Sequence, residues 1–282
     1  MRLLSLTLIG SGLVVAACGE NETPLPAKSP YVSAEPEALP CVPNLDGKIE
    51  ASELSPQLGV AATYLVSPAG AERAVDLVGT ERDGKRSWSL GLDFADDQVA
   101  RISAQKLEGK WYAAEFAGLT DAIVTPIDAG GLTEGIYTHD ETAFSLHGVA
   151  SASPDGPNKT LLRYDQPIAL YRFPLAPGVE YSTTGEVKNG TFRGLPYAGR
   201  DTYEVKVDAA GELTLPDFTV TQALRVRTKV TVSPAAGQVT TQRQTSFLFE
   251  CLGELARATS KLDEPDEDFT TATELRRLGL AP

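Results

Sequence analysis

Between Tyr203 and Cys251 the chain repeats every two residues rather than every 3.6, and that period confines it to extended strands. Tyr203, Val205 and Val207 alternate with Glu204, Lys206 and Asp208. Leu224, Val226, Thr228, Val230 and Val232 face one way, and Arg225, Arg227, Lys229 and Thr231 the other. Thr241, Arg243, Thr245, Phe247, Phe249 and Cys251 then share a face. Upstream, Trp88, Leu90, Leu92 and Phe94 form a similar row. Asp83-Gly84 just before them is a hairpin signal, Glu108-Gly109 a weaker one, and Pro234-Ala-Ala-Gly237 turns the chain. Such signals recur at about 10-residue spacing, with no long amphipathic helix between them. One-sided alternation implies antiparallel sheet with one buried and one wet face. The expected fold is therefore mainly β: a large antiparallel curved sheet, half-barrel or sandwich spanning 41–260. Asp155-Gly-Pro-Asn158 breaks the pattern and leaves a sub-boundary near 157 open, against one continuous unit.

The basic stripe Arg225, Arg227 and Lys229 has two readings. It pairs across strands with acidic outer positions such as Glu204 and Asp208, or it docks an anionic ligand. Past residue 260 the pattern changes. Asp263 to Asp268 is an acidic run, Thr271-Ala-Thr-Glu274 reads as a capping box, and Gly279 as a stop. Phe269, Ala272, Leu275 and Leu278 recur every three residues. Residues 261–282 are thus expected to be an acidic linker and a short C-terminal helix, laid across the sheet or offered to a protein partner.

Residues 1–17 read as a targeting segment. Arg2 is its one charge, and the apolar run Leu3 to Val15 is too short to span a bilayer's hydrocarbon core. It ends in Val14-Val-Ala-Ala-Cys18, which resembles the lipobox of bacterial lipoproteins and their type II signal peptides. The resemblance implies cleavage before Cys18, acylation of its sulfur and then of its new amino group. Each buried methylene then adds ~0.8 kcal/mol of membrane attachment. Gly19 after the cysteine implies, by analogy with enteric sorting, the outer membrane. Residues 18–40 carry Pro24, Pro26, Pro30, Pro36 and Pro40 and read as a flexible tether. The whole chain has 25 basic and 38 acidic residues; losing Arg2 leaves 24 against 38, a net −14 with the N-terminus blocked. That balance argues against nucleic acid as a partner.

With Cys18 lipidated, Cys41 and Cys251 remain. An exported chain meets an oxidising compartment, so a disulfide is the economical expectation, with two buried thiols as the alternative. Just beyond Cys41, the stretch CVPNLDGKIEASEL resembles an EF-hand calcium loop. With Gly47 at the turn position, Asn44, Asp46, Lys48, Glu50 and Glu53 fall at the ligand positions. The first position is Val42, without a side-chain oxygen, and no helix precedes it. The resemblance implies a weak calcium site; the alternative is a structural turn followed by a short helical stretch from Glu50 to Leu54.

Elsewhere chemistry is sparse. His139 and His147 are the two histidines, and His139-Asp140-Glu141 reads as a hairpin tip. No nucleophile elbow, zinc-protease helix, P-loop or dinucleotide fingerprint is present. No catalytic residue is nominated. Aromatics are 7% of the chain, few for the stacking platform of a carboxylate-dependent glycoside hydrolase, which stays an alternative reading. CVPNLDGKIEASEL and FECLGELARATS resemble large envelope lipoproteins of predatory and social δ-proteobacteria. The long strands are similar, by architecture alone, to the half-barrels of lipoprotein carriers, which implies an apolar ligand in a lipid-sized groove. The expectation is a membrane-anchored envelope lipoprotein, a non-enzymatic binding or structural module. A weak calcium-dependent adhesion protein is the alternative.

Overall fold

The computed structural model describes residues 41–280; the leader 1–17, Cys18 and the tether 18–40 lie outside the described residues. After a 3-10 turn at Ala51–Leu54, β1 (Ala61–Val66) leads into an excursion that carries β2 (Arg73–Ala74), β3 (Thr80–Arg82) and β4 (Lys85–Ser89). Next come β5 (Gln98–Ser103), β6 (Gln105–Lys106), a 3-10 turn at Ala113–Phe116, β7 (Ile123–Pro126), β8 (Thr133–His139) and β9 (Ala143–Ser151). The long strands follow: β10 (Leu161–Arg172), β11 (Glu180–Phe192), β12 (Leu195–Thr214), β13 (Thr219–Pro234), β14 (Thr240–Phe249) and β15 (Gly253–Leu262). β16 (Thr271–Ala272) and β17 (Glu274–Leu278) come last.

One large sheet is nearly closed and barrel-like. Its path runs β5-β1-β17-β15-β14-β13-β12-β11-β10-β9-β8-β7-β6, antiparallel throughout. β5 and β6 stand at opposite ends of that path, yet a single residue, Ala104, separates them in sequence. The two edges of the sheet are therefore brought together by one extended stretch of chain. Such closure removes the unpaired edges that an open sheet leaves to solvent. A weaker line runs between β10 and β11, which share one register pair, Leu161↔Thr191. The β10 register shifts between Arg163 and Ile168, around Pro167. Side chains replace the ladder there: Thr183 Oγ1 accepts from Ala169 N at 3.3 Å and Asp165 Oδ1 from Glu186 N at 2.9 Å.

The Asp83-Gly84 signal is realised as the β3–β4 hairpin, with φ of 53° and 73° at the two turn residues. β4 then joins the end of β12 in parallel, Trp88 opposite Leu213. Gly79, at φ 72°, lies so close that a Cβ would sit 2.4 Å from the Ser87 carbonyl and 2.6 Å from the Trp88 ring. Trp88 stacks edge-on to Phe247 at 5.0 Å, in a core with Leu77, Leu90, Leu213 and Leu255. The excursion thus covers the outer face of β13–β15. Arg277, fully buried on β17, fastens it by donating to Leu90 O at 2.9 Å and to Leu92 O, and by pairing with Asp97.

The expected C-terminal helix is not formed. Residues 274–278 are strand β17, inserted between β1 and β15. The apolar spacing is real, since Phe269, Ala272 and Leu275 share one core with Trp88. A helix of about nine residues is marginal alone, whereas this slot offers backbone partners on both sides. Residues 41–280 form one compact unit, and 153–159 is a turn region between β9 and β10.

Candidate functional site

Strand register shows which side chains enter the barrel. Val226, Ser246, Arg257, Arg276 and Val66 form one row across β13, β14, β15, β17 and β1. Arg257 and Arg276 reach across the interior: both donate Nη2 to Ile127 O, at 3.2 and 2.8 Å, from the far side of the sheet path. Glu254 and Glu274 complete a box of four charges. Arg276 lies 3.2 Å from Glu274 and 3.9 Å from Glu254; Arg257 lies 3.8 Å from Glu254 and 3.9 Å from Glu274. Ser246 Oγ donates to Glu254 at 2.9 Å and Tyr64 OH to the Glu254 carbonyl at 2.8 Å. Burial opposes the Arg257 charge, but Glu254 and Glu274 outweigh it and raise its pKa. Neither Arg257 Nε nor Arg276 Nε, both buried, has a hydrogen-bond partner.

Tyrosines surround this box. Tyr137 stacks on Phe144 at 4.9 Å, and Phe144 on Tyr171 at 6.2 Å. Burial pushes Tyr137 up to about 12 and raises Tyr64, Tyr171 and Tyr203 further. All four phenols therefore stay protonated at neutral pH and can donate hydrogen bonds. Aliphatic side chains share the interior with these charges and rings: Val205, Val207, Leu224, Val226 and Leu248 form a buried cluster with Ile49 and Leu175. Glu254, Glu274, Arg257 and Arg276 compensate one another, whereas the buried Asp201, on the same face as Tyr203, is met by the Tyr164 hydroxyl and by no cation among the described residues.

One end of the barrel is covered by the segment that the sequence compares to a calcium loop. Cys41 and Cys251 form a disulfide, with Cα atoms 5.5 Å apart. Asn44 N and Leu45 N donate to Glu250 Oε2 at 2.6 and 2.9 Å, and Cys251 N donates to Glu53 O at 2.7 Å. Ile49 exchanges two backbone bonds with Leu175, and both side chains are buried. Glu53 caps the 3-10 turn through Glu50 N at 2.8 Å and also accepts from Asn44 Nδ2 at 2.8 Å. Lys48 brings its ammonium to Glu50 and to within 3.7 Å of Asp46. Asp46 and Glu50 thus share a cation from their own loop, while Asn44 and Glu53 bond to each other. Among the described residues no group of three His, Cys, Asp or Glu is arranged to hold a metal ion.

The two histidines do not meet. His139 packs between Phe144 and Phe173, and burial lowers its pKa. His147 Nε2 lies 2.8 Å from Thr138 Oγ1. A hydroxyl–imidazole pair needs an orienting acid to become a nucleophile, and no carboxylate is bonded to His147 among the described residues. The basic stripe pairs across strands as its alternation suggests. Asp208 accepts from Arg225 Nε at 2.8 Å and from Arg227 Nε at 2.7 Å, and Lys229 meets Glu204 at 3.0 Å.

The interior set of Glu254, Arg257, Glu274 and Arg276 escapes sequence reasoning. FECLGELARATS contains two of its members, but nothing local marks them as inward. Comparison with known proteins finds no matching family model, no matching curated protein and no matching solved structure.

Proposed function

We propose that this chain is a lipid-anchored protein of the cell envelope, held at the outer membrane through Cys18, whose barrel-like body is a non-enzymatic binding or structural module. The observation that carries the reading is the Cys41–Cys251 disulfide. Such bonds persist in oxidising compartments, in keeping with export. The box of Glu254, Arg257, Glu274 and Arg276 supports binding or structure over catalysis, because these four charges are spent on one another.

Intact-mass analysis of the full chain from native envelopes tests the anchor. The expected species begins at Cys18 and carries fatty acyl groups. A chain beginning at Met1, or at another residue without acyl groups, would overturn the proposal.

A further inference from the structure

The outer face of β11–β14 holds a groove of ≈ 380 Å³, lined by side chains opposite in direction to the lumen set. Its register mixes unlike pairs, Glu180 opposite Lys206 and Glu204 opposite Lys229, with like ones. Lys206 on β12 lies directly opposite Arg227 on β13, and Lys229 on β13 lies directly opposite Arg243 on β14. Like charges in direct register destabilise a sheet. Two such pairs stand side by side in one groove, on a chain whose net charge is −13.

The fold answers only part of this charge. Glu204 pairs with Lys229 at 3.0 Å, and Arg227 gives Nε to Asp208 and Nη2 to Asp268 at 2.5 Å. Lys206 makes no hydrogen bond or ion pair among the described residues, although Glu180 is its register partner on β11. Arg243 meets backbone carbonyls alone, Glu264 O and Pro265 O, both at 3.0 Å. Arg227 has a side chain 7% exposed; its buried Nη1 has no hydrogen-bond partner and is ion-paired with Glu267 at 3.5 Å. An orphaned donor on a buried guanidinium is costly unless something completes it.

We propose that this groove is a binding site for a phosphate-bearing small molecule. A phosphate presents several acceptor oxygens around one centre, so it can take donors from separate strands at once, and arginine and lysine are its usual partners. Displacing the Glu267 carboxylate gives its oxygens access to Arg227 Nη1, while Lys206, Lys229 and Arg243 flank it. The cationic register pairs then cost stability when the groove is empty and gain it when the groove is filled. The site lies outside the barrel, so the inference stands whether or not the chain is lipid-anchored.

The test is thermal unfolding of the full chain in neutral detergent with inorganic phosphate or pyrophosphate, against sodium chloride at matched ionic strength. At a ligand concentration tenfold above Kd a phosphate-specific Tm rise of about 3–6 °C is expected. Lys206→Gln/Lys229→Gln is expected to keep or raise the basal Tm, since repulsion is relieved, and to lose the phosphate shift. Lys159→Gln, outside the groove, should keep the shift. If the double variant is less stable, Lys206→Gln alone, which breaks no bond, serves the same purpose. Vesicles bearing phosphatidic acid form a parallel arm; a shift with these alone would assign the phosphate to a lipid headgroup. No shift with any phosphate probe, or an equal shift in the groove variants, would overturn the proposal.

Discussion

Asp208→Asn is the sharpest probe of the clamp that holds the outer layers on the barrel. Asp208 takes three charge-assisted hydrogen bonds, two from Arg225 at 2.8 Å and one from Arg227 at 2.7 Å. Its partners are almost fully buried, with side chains 3% and 7% exposed. Arg225 also donates to Leu77 O, the carbonyl that accepts from Trp88 Nε1, so the clamp reaches the core of the excursion. Removing one partner of a buried ion pair leaves an uncompensated charge and costs about 3–5 kcal/mol. Asparagine keeps one acceptor and Asp268 still serves Arg227, so the low end, about 3 kcal/mol, is expected. That corresponds to a Tm lower by roughly 6–12 °C for a body of this size. Burial alone would raise the Asp208 pKa, but hydrogen bonds from Arg225 and the attraction of both guanidiniums hold it below the usual carboxylate range. The folded value is thus the lower one. Its stabilisation is present above the unfolded pKa of about 3.9 and is lost as pH falls through the folded value. Urea unfolding followed by tryptophan fluorescence, with the disulfide kept oxidised, gives both numbers. In an Arg225→Gln background the same substitution should cost less, by about 0.5–3 kcal/mol of coupling. A loss below about 1 kcal/mol, or an acid limb identical in wild type and variant, would refute the clamp.

Two further outcomes follow from the covered end of the barrel. Cys41→Ser/Cys251→Ser removes a link between positions 210 residues apart and should cost about 2–5 kcal/mol, read as a lower urea midpoint with faster hydrogen exchange at 44–54; unchanged exchange there would mean that the segment holds without it. His139 has a folded pKa lowered chiefly by burial, with the Ala51 backbone and Asp140 opposing, so protonation favours the unfolded chain. Its stabilisation is present above about pH 6.5 and lost as pH falls through the folded value. His139→Phe, which keeps the ring against Phe144 and Phe173, should flatten the fall in stability below pH 6.5; an equal slope in the variant would count against it.

Much of the body was legible from the period of two. β12–β14 form strands where the alternation puts them, but no wet face follows at their centre, where Ala223–Arg227 and Thr245–Leu248 are buried on both sides; the Asp83-Gly84 turn forms where such residues take positive φ without strain. The pairing of Cys41 with Cys251 was the economical expectation for an exported chain, and the disulfide decides against two buried thiols. The C-terminal strand was misread because Phe269, Ala272, Leu275 and Leu278 carry a spacing that helix and strand-plus-bend both satisfy. Backbone partners on β1 and β15, distant in sequence, settled it.

Alternation by itself determined that the chain makes strands with two unlike faces, because side-chain direction is a local property of extended backbone. Which face turns inward is not local. Gln242, Gln244 and Ser246 look like a solvated row, and Phe247 and Phe249 like the core. Curvature instead put Ser246 inside with Arg257 and Glu254, and Phe247 outside beneath Trp88. Only closure of the sheet, with β5 and β6 meeting through Ala104, brings groups more than a hundred residues apart, such as Ile127 and Arg257, within hydrogen-bond distance. Contacts of that range depend on the curvature of the whole sheet, which no single strand encodes.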